Sequence, residues 1–354
     1  MATLKEIADR VGVSLTTVSR VINYDETLSI TPEKRQLIFE TAEELNYETP
    51  RSRKLSRSAK KSGGAEYKIG LIHFISADEE LKDPFFLSIR IGIEKKCQEF
   101  NYDVIKLSDN GFGYPLDRMR EVNGLIAVGK FKVSDIRLFE AQCANLVVVD
   151  SAPLEDEIDC VVVDVDRAME KILNFAIEQG FSKIGYWGWV ESEADYVTRL
   201  GEKRYTAFVD FLEKRNLFNA DYVYMNTPDT KIQGGYTHFM DAYRKGLLPE
   251  LIVAGNDSEA IGIMKAIRET GLRIPDDISI IGMNDIPVAQ YTFPALTTVK
   301  FYSQFMGETA VALLKERFEH RRIAKKVTLP CRLIVRESCR LKISAESVDS
   351  KRRP

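Results

Sequence analysis

The chain has 354 residues, 44% of them hydrophobic and 29% charged, and a formal charge of −3 at pH 7. That length holds two or three domains with cores of their own, and the composition is that of a soluble globular protein, which excludes disordered and fibrous classes. No apolar run approaches the ~18 residues of a membrane-spanning helix, and the net acidity excludes binding of nucleic acid over the whole surface.

At the N-terminus, Thr3 followed by Glu6 forms a capping box that satisfies orphan amides at a helix start. Leu4, Ile7, Ala8 and Val11 recur at helical spacing and make one face apolar, and Gly12 supplies the left-handed exit. Ser14 is placed to cap a second helix, whose Val18, Val21 and Ile22 face the first. Two short helices joined by so tight a turn are a helix-turn-helix unit. Thr31 and Pro32 open a third helix, with Leu37, Ile38, Thr41, Ala42 and Leu45 inward, ending near Asn46-Tyr47. The outward face of the second helix presents Leu15, Thr16, Thr17, Ser19 and Arg20. Short hydroxyls suit phosphate oxygens, and an arginine there reaches a guanine edge in the major groove.

The run Ala8…Gly12-Val13-Ser14…Thr17-Val18-Ser19-Arg20-Val21…Asn23, with Glu44-Leu45-Asn46-Tyr47, resembles the head of the lactose/galactose repressor (LacI/GalR) family. The resemblance implies base reading by Leu15, Thr16 and Arg20, and backbone contacts by Ser14, Thr17, Ser19, Asn23 and Thr31.

Residues 48–66 read as a linker rich in proline, serine, glycine and charge. Between Arg51 and Lys61 stand six basic residues and no acidic one, a local source of phosphate attraction that the net charge conceals. The resemblance implies a hinge helix here with a leucine wedged into the minor groove. Leu55 is the only leucine of the segment and the candidate wedge, although the family's alanine-rich hinge pattern is absent. The alternative is that Arg51, Arg53 and Lys54 meet phosphate or enter the minor groove directly.

From Tyr67 onward, short apolar runs alternate with helical stretches. Strands are expected at 69–74, 102–107, 124–128 and 146–149, and Cys160–Val163 reads as the start of a second series. That series continues at 184–186, 221–224, 251–254, 278–282 and 296–299. Helices are expected at 85–100, 133–143, 167–178, 202–214, 236–243, 259–269 and 304–318. Alternation of this kind implies parallel sheets covered on both faces, and so many strands suit two lobes with a cleft at the strands' carboxyl ends.

The fold expected is an α/β core of two doubly wound lobes, similar to periplasmic binding proteins as the resemblance implies, behind an N-terminal all-α helix-turn-helix head. Its parts are the head at 1–47, a basic hinge at 48–66, the core at 67–340 and a polar tail at 341–354. Lobe 1 takes about 67–163 and 300–328, and lobe 2 about 164–299 and 329–340, with Lys326–Val335 as one crossover.

Polar residues that end strands mark the cleft: Asp150, the pair Asn256-Asp257, and Asn284-Asp285. Carboxylates, amides and a guanidinium, here Arg204 at the start of a helix, suit the hydroxyls of a polyol. The resemblance supports Arg204, Asn256, Asp257 and Asp150 as effector-binding residues, and places Asn284 where many members carry aspartate. It also puts effector-bordering aromatics at Phe85 and Phe86, for which core packing is the alternative. Trp187 and Trp189 are further candidates for stacking on a sugar, or for simply covering the sheet.

The acidic loop Glu155-Asp156-Glu157…Asp159 reads as solvated surface, and His73 as a satisfied buried histidine. Five cysteines without CxxC spacing read as small buried hydrophobes in a reducing compartment. Gly185…Gly188 and Gly234-Gly235 lack the spacing of nucleotide loops, and the three histidines lack metal-ligand spacing. No catalytic set, metal or cofactor is expected.

The expected function is that of a sugar-responsive transcriptional repressor of a carbohydrate operon, released from a palindromic operator by inducer. Its partners are double-stranded operator DNA, a small sugar and a second copy of the chain, and it is cytoplasmic and nucleoid-associated through DNA. The pattern Lys82–Glu94 and the arginine-rich linker look most like galactose-operon regulators of Gram-positive bacteria, which makes galactose or a galactoside the expected effector. A regulator using a purine or phosphoprotein corepressor is the alternative, and a solute-binding protein is a more distant one. The tail Lys351–Pro354 carries no leucine heptads, so no tetramerising tail is expected, and a homodimer is the assembly the reading requires.

Overall fold

The computed structural model describes residues 3–22, 28, 30–31, 34, 37–38, 41, 66–80, 83–107, 113–153, 157–189, 200–226 and 232–342. The chain divides between Ala65 and Glu66 into two compact units.

In the first unit, helix α1 (Leu4–Val11) begins with the capping box. Thr3 N–H donates to Glu6 Oε2 at 2.6 Å, and Glu6 N–H donates back to Thr3 Oγ1 at 3.3 Å. Gly12 closes the helix at φ 69°, a left-handed backbone that a side chain rarely adopts. Helix α2 (Leu15–Ile22) packs Val18 and Val21 against Ile7, Ala8 and Ile38, a small core fully shielded from water. Of the third helix, only scattered positions lie among the described residues.

The second unit holds two six-stranded sheets. Strands β1 (Tyr67–His73), β2 (Tyr102–Lys106), β3 (Gly124–Val128), β4 (Leu146–Val149) and β5 (Asp159–Val163) belong to the first sheet with β11 (Lys326–Leu329). Its order is β11-β5-β4-β3-β1-β2, and every pair is parallel. Strands β6 (Ile184–Trp189), β7 (Val223–Asn226), β8 (Leu251–Ala254), β9 (Ser279–Asn284) and β10 (Thr297–Phe301) make the second sheet with β12 (Cys331–Ile334). Its order is β12-β10-β9-β8-β6-β7, with only β12 antiparallel. β3, β4 and β8 are buried at every position, as continuous apolar runs in sheets covered on both faces must be.

Cys160–Val163 therefore does not open the second series. β5 pairs with β4 on one side and β11 on the other, completing the first sheet. The segment 326–335 is two strands, one in each sheet. The helices are α3 (Ala77–Glu80), α4 (Pro84–Glu99), α5 (Leu116–Arg120), α6 (Val133–Gln142), α7 (Val165–Glu178), α8 (Leu200–Glu213), α9 (Ile232–Lys245), α10 (Asp257–Glu269) and α11 (Ser303–Phe318). α11 follows β10 of the second sheet but packs on α4, β4 and β5 of the first. The α4–α11 contact is backbone-close: a Cβ on Gly92 would lie 2.0 Å from Gln304 O, and one on Gly307 would lie 2.1 Å from Ile89 O.

Asp159 departs from its expectation as a solvated acid. It has no exposed surface and accepts hydrogen bonds from Arg317 Nε at 2.6 Å, Arg321 Nη1 and Nη2 at 2.9 Å, and Lys325 N–H at 2.6 Å. Burial works against its charge, but the donors from Arg321, Arg317 and Lys325 outweigh it and hold the carboxyl below its ordinary value. The five cysteines are all buried and unbridged. Among the described residues, no helix is long and apolar enough to cross a membrane.

Candidate DNA-reading head and effector cleft

In the head, Ser14 caps α2: Thr17 N–H donates to its Oγ at 3.0 Å, and the two hydroxyls are 2.8 Å apart. Leu15 is 50% exposed, Thr16 is also exposed, and Ser19 and Arg20 are half-buried at its flank. This outward face turns away from the small core, as expected of a helix that is to enter a groove. Thr31 Oγ1 accepts from Lys34 N–H at 3.4 Å, the expected cap of the third helix. Asn23, Arg51, Arg53, Lys54 and Leu55 lie outside the described residues.

At the carboxyl edge of the first sheet, Asp150 follows β4 with φ 69° and is 4% exposed. Its N–H donates to Val161 O at 2.9 Å, so the turn carrying it is tied to β5. Phe85 and Phe86 open α4 behind the Asp83 cap and are 5% and 7% exposed. Phe86 meets Phe74 edge-on at 4.9 Å, and Phe85 meets Phe301 of β10 at 6.5 Å, so both rings belong to the apolar core at this edge.

His73 lies behind Phe86, and its imidazole is not satisfied as expected: neither ring nitrogen has a hydrogen-bond partner among the described residues. Its Nε2 stands 3.7 Å from Glu80, whose carboxylate takes Arg90 Nε at 2.5 Å. Burial holds this imidazole down at about 4, against the pull of Glu80.

At the corresponding edge of the second sheet, the two tryptophans part company. Trp187 has no exposed surface; its indole N–H donates to Tyr222 O at 3.2 Å, and its ring packs on Tyr224 and Phe239. It covers the sheet. Trp189 lies two residues on, at the last position of β6, with the Arg204 guanidinium 5.0 Å from its ring centroid. Arg204 is 5% exposed, and its Nε has no hydrogen-bond partner among the described residues. Beneath them Glu259 is fully buried, 3.4 Å from His238 Nδ1. Burial pushes its carboxyl up, against His238, the Gly255 amide and the charge of Arg204.

The remaining candidates cap or tie. Asn256 is the N-cap of α10, its Oδ1 accepting from Glu259 N–H at 2.8 Å. Asp257 has no exposed surface, and both carboxylate oxygens are engaged. Thr298 Oγ1 donates to Oδ1 at 2.5 Å, and Ile286 N–H donates to Oδ2 at 2.9 Å. Asp257 is therefore not a lining residue but a tie holding the loop after β9. Burial raises its carboxyl to about 7, opposed by the Thr298 and Ile286 hydrogen bonds.

Where that loop begins, Asn284, the last residue of β9, holds φ 117°, a backbone rarely held outside glycine, and its Oδ1 is buried without a hydrogen-bond partner among the described residues. Asp285 anchors the loop through Arg336 Nη2 at 2.7 Å and Lys300 Nζ at 3.3 Å. Lys130 escaped the sequence reading. It stands just after β3 and Gly129, the same strand-end position that marked Asp150.

The family is decided by comparison. Residues 3–50 match the model of bacterial regulatory proteins of the lacI family, and residues 173–339 match a periplasmic binding protein-like domain. The HTH-type transcriptional repressor MelR of Bacillus subtilis (strain 168) is 34% identical over 348 residues, covering 96% of this chain and 98% of that protein. The chain belongs to the lacI family.

The HTH-type transcriptional regulator GalR of Streptococcus thermophilus is 33% identical, covering 96% of this chain and 99% of that one. Among solved structures, a CelR–cellobiose complex matches with TM-score 0.66 at 20% identity, covering 96% of this chain and 100% of that one. The lac repressor dimer bound to operator and the anti-inducer ONPF matches with TM-score 0.65 at 21% identity, covering 95% and 98%. These establish the shared fold, a helix-turn-helix head before a two-lobed periplasmic-binding-protein-like core. With relatives named as regulators, this lacI-family chain is a DNA-binding transcriptional regulator rather than an enzyme. As a lacI-family regulator, the chain has DNA as the partner that comes with membership.

Proposed function

We propose that this regulator is a cytoplasmic repressor of a carbohydrate operon that leaves a palindromic operator when galactose or a galactoside enters the cleft. The observation that carries the effector site is the pair of buried, unsatisfied polar atoms at one sheet edge, Arg204 Nε and Asn284 Oδ1. Buried polar groups are nearly always hydrogen-bonded, so a donor and an acceptor left over among the described residues suit a ligand rich in hydroxyls. The two atoms offer opposite polarity, which a polyol can satisfy because each hydroxyl both donates and accepts. Relatives named GalR from Streptococcus thermophilus and Lacticaseibacillus casei, 33% and 32% identical, point the sugar toward galactose. Leu15, Thr16 and Arg20 read bases, with Ser14, Thr17, Ser19, Asn23 and Thr31 on the backbone and the basic hinge on phosphate or the minor groove.

Release follows from linkage. A sugar that favours one lobe arrangement lowers operator affinity by the same factor by which the operator lowers sugar affinity. The test is fluorescence anisotropy of a labelled palindromic operator, titrated with protein in the presence of galactose, melibiose, lactose, cellobiose or a purine. Galactose or a galactoside should weaken binding, and Arg204→Met should blunt that response by about 10- to 100-fold in sugar concentration, the worth of hydrogen bonds to a charged group. A purine that tightens binding while sugars do nothing identifies a corepressor-dependent regulator instead.

A further inference from the structure

Trp189 ends β6 of the second sheet, and Lys130 follows β3 of the first, yet Lys130 Nζ lies 5.2 Å from the Trp189 ring centroid. The same ring carries the Arg204 guanidinium at 5.0 Å. Its position is set from below by Gly255, where a Cβ would come within 2.6 Å of Trp189 Cζ3. Only 6% of Trp189 and 5% of Arg204 is exposed. A cation over an indole face is attracted by the ring quadrupole, most strongly where water is kept away. One rigid ring, held by the second lobe, thus meets a cation from its own lobe and another from across the cleft.

We propose that Trp189 is the positioning residue of the effector cleft, orienting Arg204 and, through Lys130, latching the two lobes in the arrangement that takes the effector. The inference rests on the reading of this cleft as the effector site. The Lys130–Trp189 contact joins residues on different sheets, so it exists only at one separation of the lobes and favours that arrangement by its own interaction energy. The effector inherits this bias: removing the latch leaves it to close the lobes unaided.

The chain has two tryptophans, and Trp187 is sealed in the core, so collisional quenching reports chiefly on Trp189. The full-length protein is compared with Lys130→Met, which keeps the apolar stem and loses the charge, and with Lys130→Arg, which keeps a cation. Acrylamide quenching is measured without sugar, and galactose is then titrated against each variant's own operator complex.

Lys130→Met should raise quenching and require about fivefold more galactose for half-maximal release, with Lys130→Arg close to wild type. Unchanged quenching together with unchanged galactose response overturns the latch, and so does tighter galactose binding, which makes Lys130 a plug. If wild-type protein answers to no sugar, the effector reading fails separately. The quenching comparison then decides the latch alone: equal values in the wild type and Lys130→Met reject it.

Discussion

Replacing Asp257 with asparagine should change how stability depends on pH. The carboxyl sits at about 7 in the fold against an ordinary value of 3.8, because burial penalises its charge more than Thr298 and Ile286 stabilise it. Between pH 4 and 7 the unfolded chain has released this proton while the folded chain still holds it. Stability from this group is therefore fully present below about pH 4, declines as pH rises, and levels off above about 7. The full difference is worth up to about 4 kcal/mol. Asparagine cannot ionise but can keep both contacts, its oxygen accepting from Ile286 N–H and its amide donating to Thr298 Oγ1.

The assay is urea unfolding at several pH values from 4.5 to 7.5, followed by tryptophan fluorescence, since both indoles lie on β6 of the same sheet. Asp257→Asn, measured against wild type, should gain relative stability by a few kcal/mol across that window. Curves that stay parallel mean that the carboxyl does not take up a proton on folding, and refute the reasoning.

Arg20→Ala should weaken operator binding by about 10- to 100-fold and relax preference at one base pair, checked by anisotropy against single-base operator variants. Asp159→Asn leaves Arg317 and Arg321 facing a neutral amide and should cost about 3–5 kcal/mol, read as a drop in thermal midpoint. The depressed carboxyl also means that this contribution is present above its ordinary value and is lost as pH falls through the folded value. Tyr291 and Phe293, 78% and 84% exposed within one turn, suit a face covered by the second copy. Tyr291→Ser with Phe293→Ser should shift sedimentation toward monomer, and an unchanged dimer places the interface elsewhere.

Much of this molecule is written locally. The capping box at Thr3, the helical apolar spacing and Gly12 specify two head helices because caps and periodicity act within a few residues. The continuous apolar runs of β3, β4 and β8 announce strands buried on both faces, and the polar residues after β4, β8 and β9 mark the cleft edges.

Which sheet receives a strand is another matter. A run such as Cys160–Val163 is apolar throughout, so it carries no face pattern to choose a neighbour, and β5 joined the first sheet through partners 12 and more residues away. The fate of Asp159 was settled by Arg317 and Arg321, 158 and 162 residues along the chain. Trp187 and Trp189 look alike in sequence, yet one covers the sheet while the other stands at the strand end between Lys130 and Arg204. Asp257 looks like a ligand for a sugar until the loop after β9 folds over it and takes both oxygens. Local sequence determined the elements and the positions where polar groups gather. Burial and pairing between distant segments, which depend on desolvation and on partners brought together only by folding, decided which of those groups remain for a ligand and which hold the scaffold.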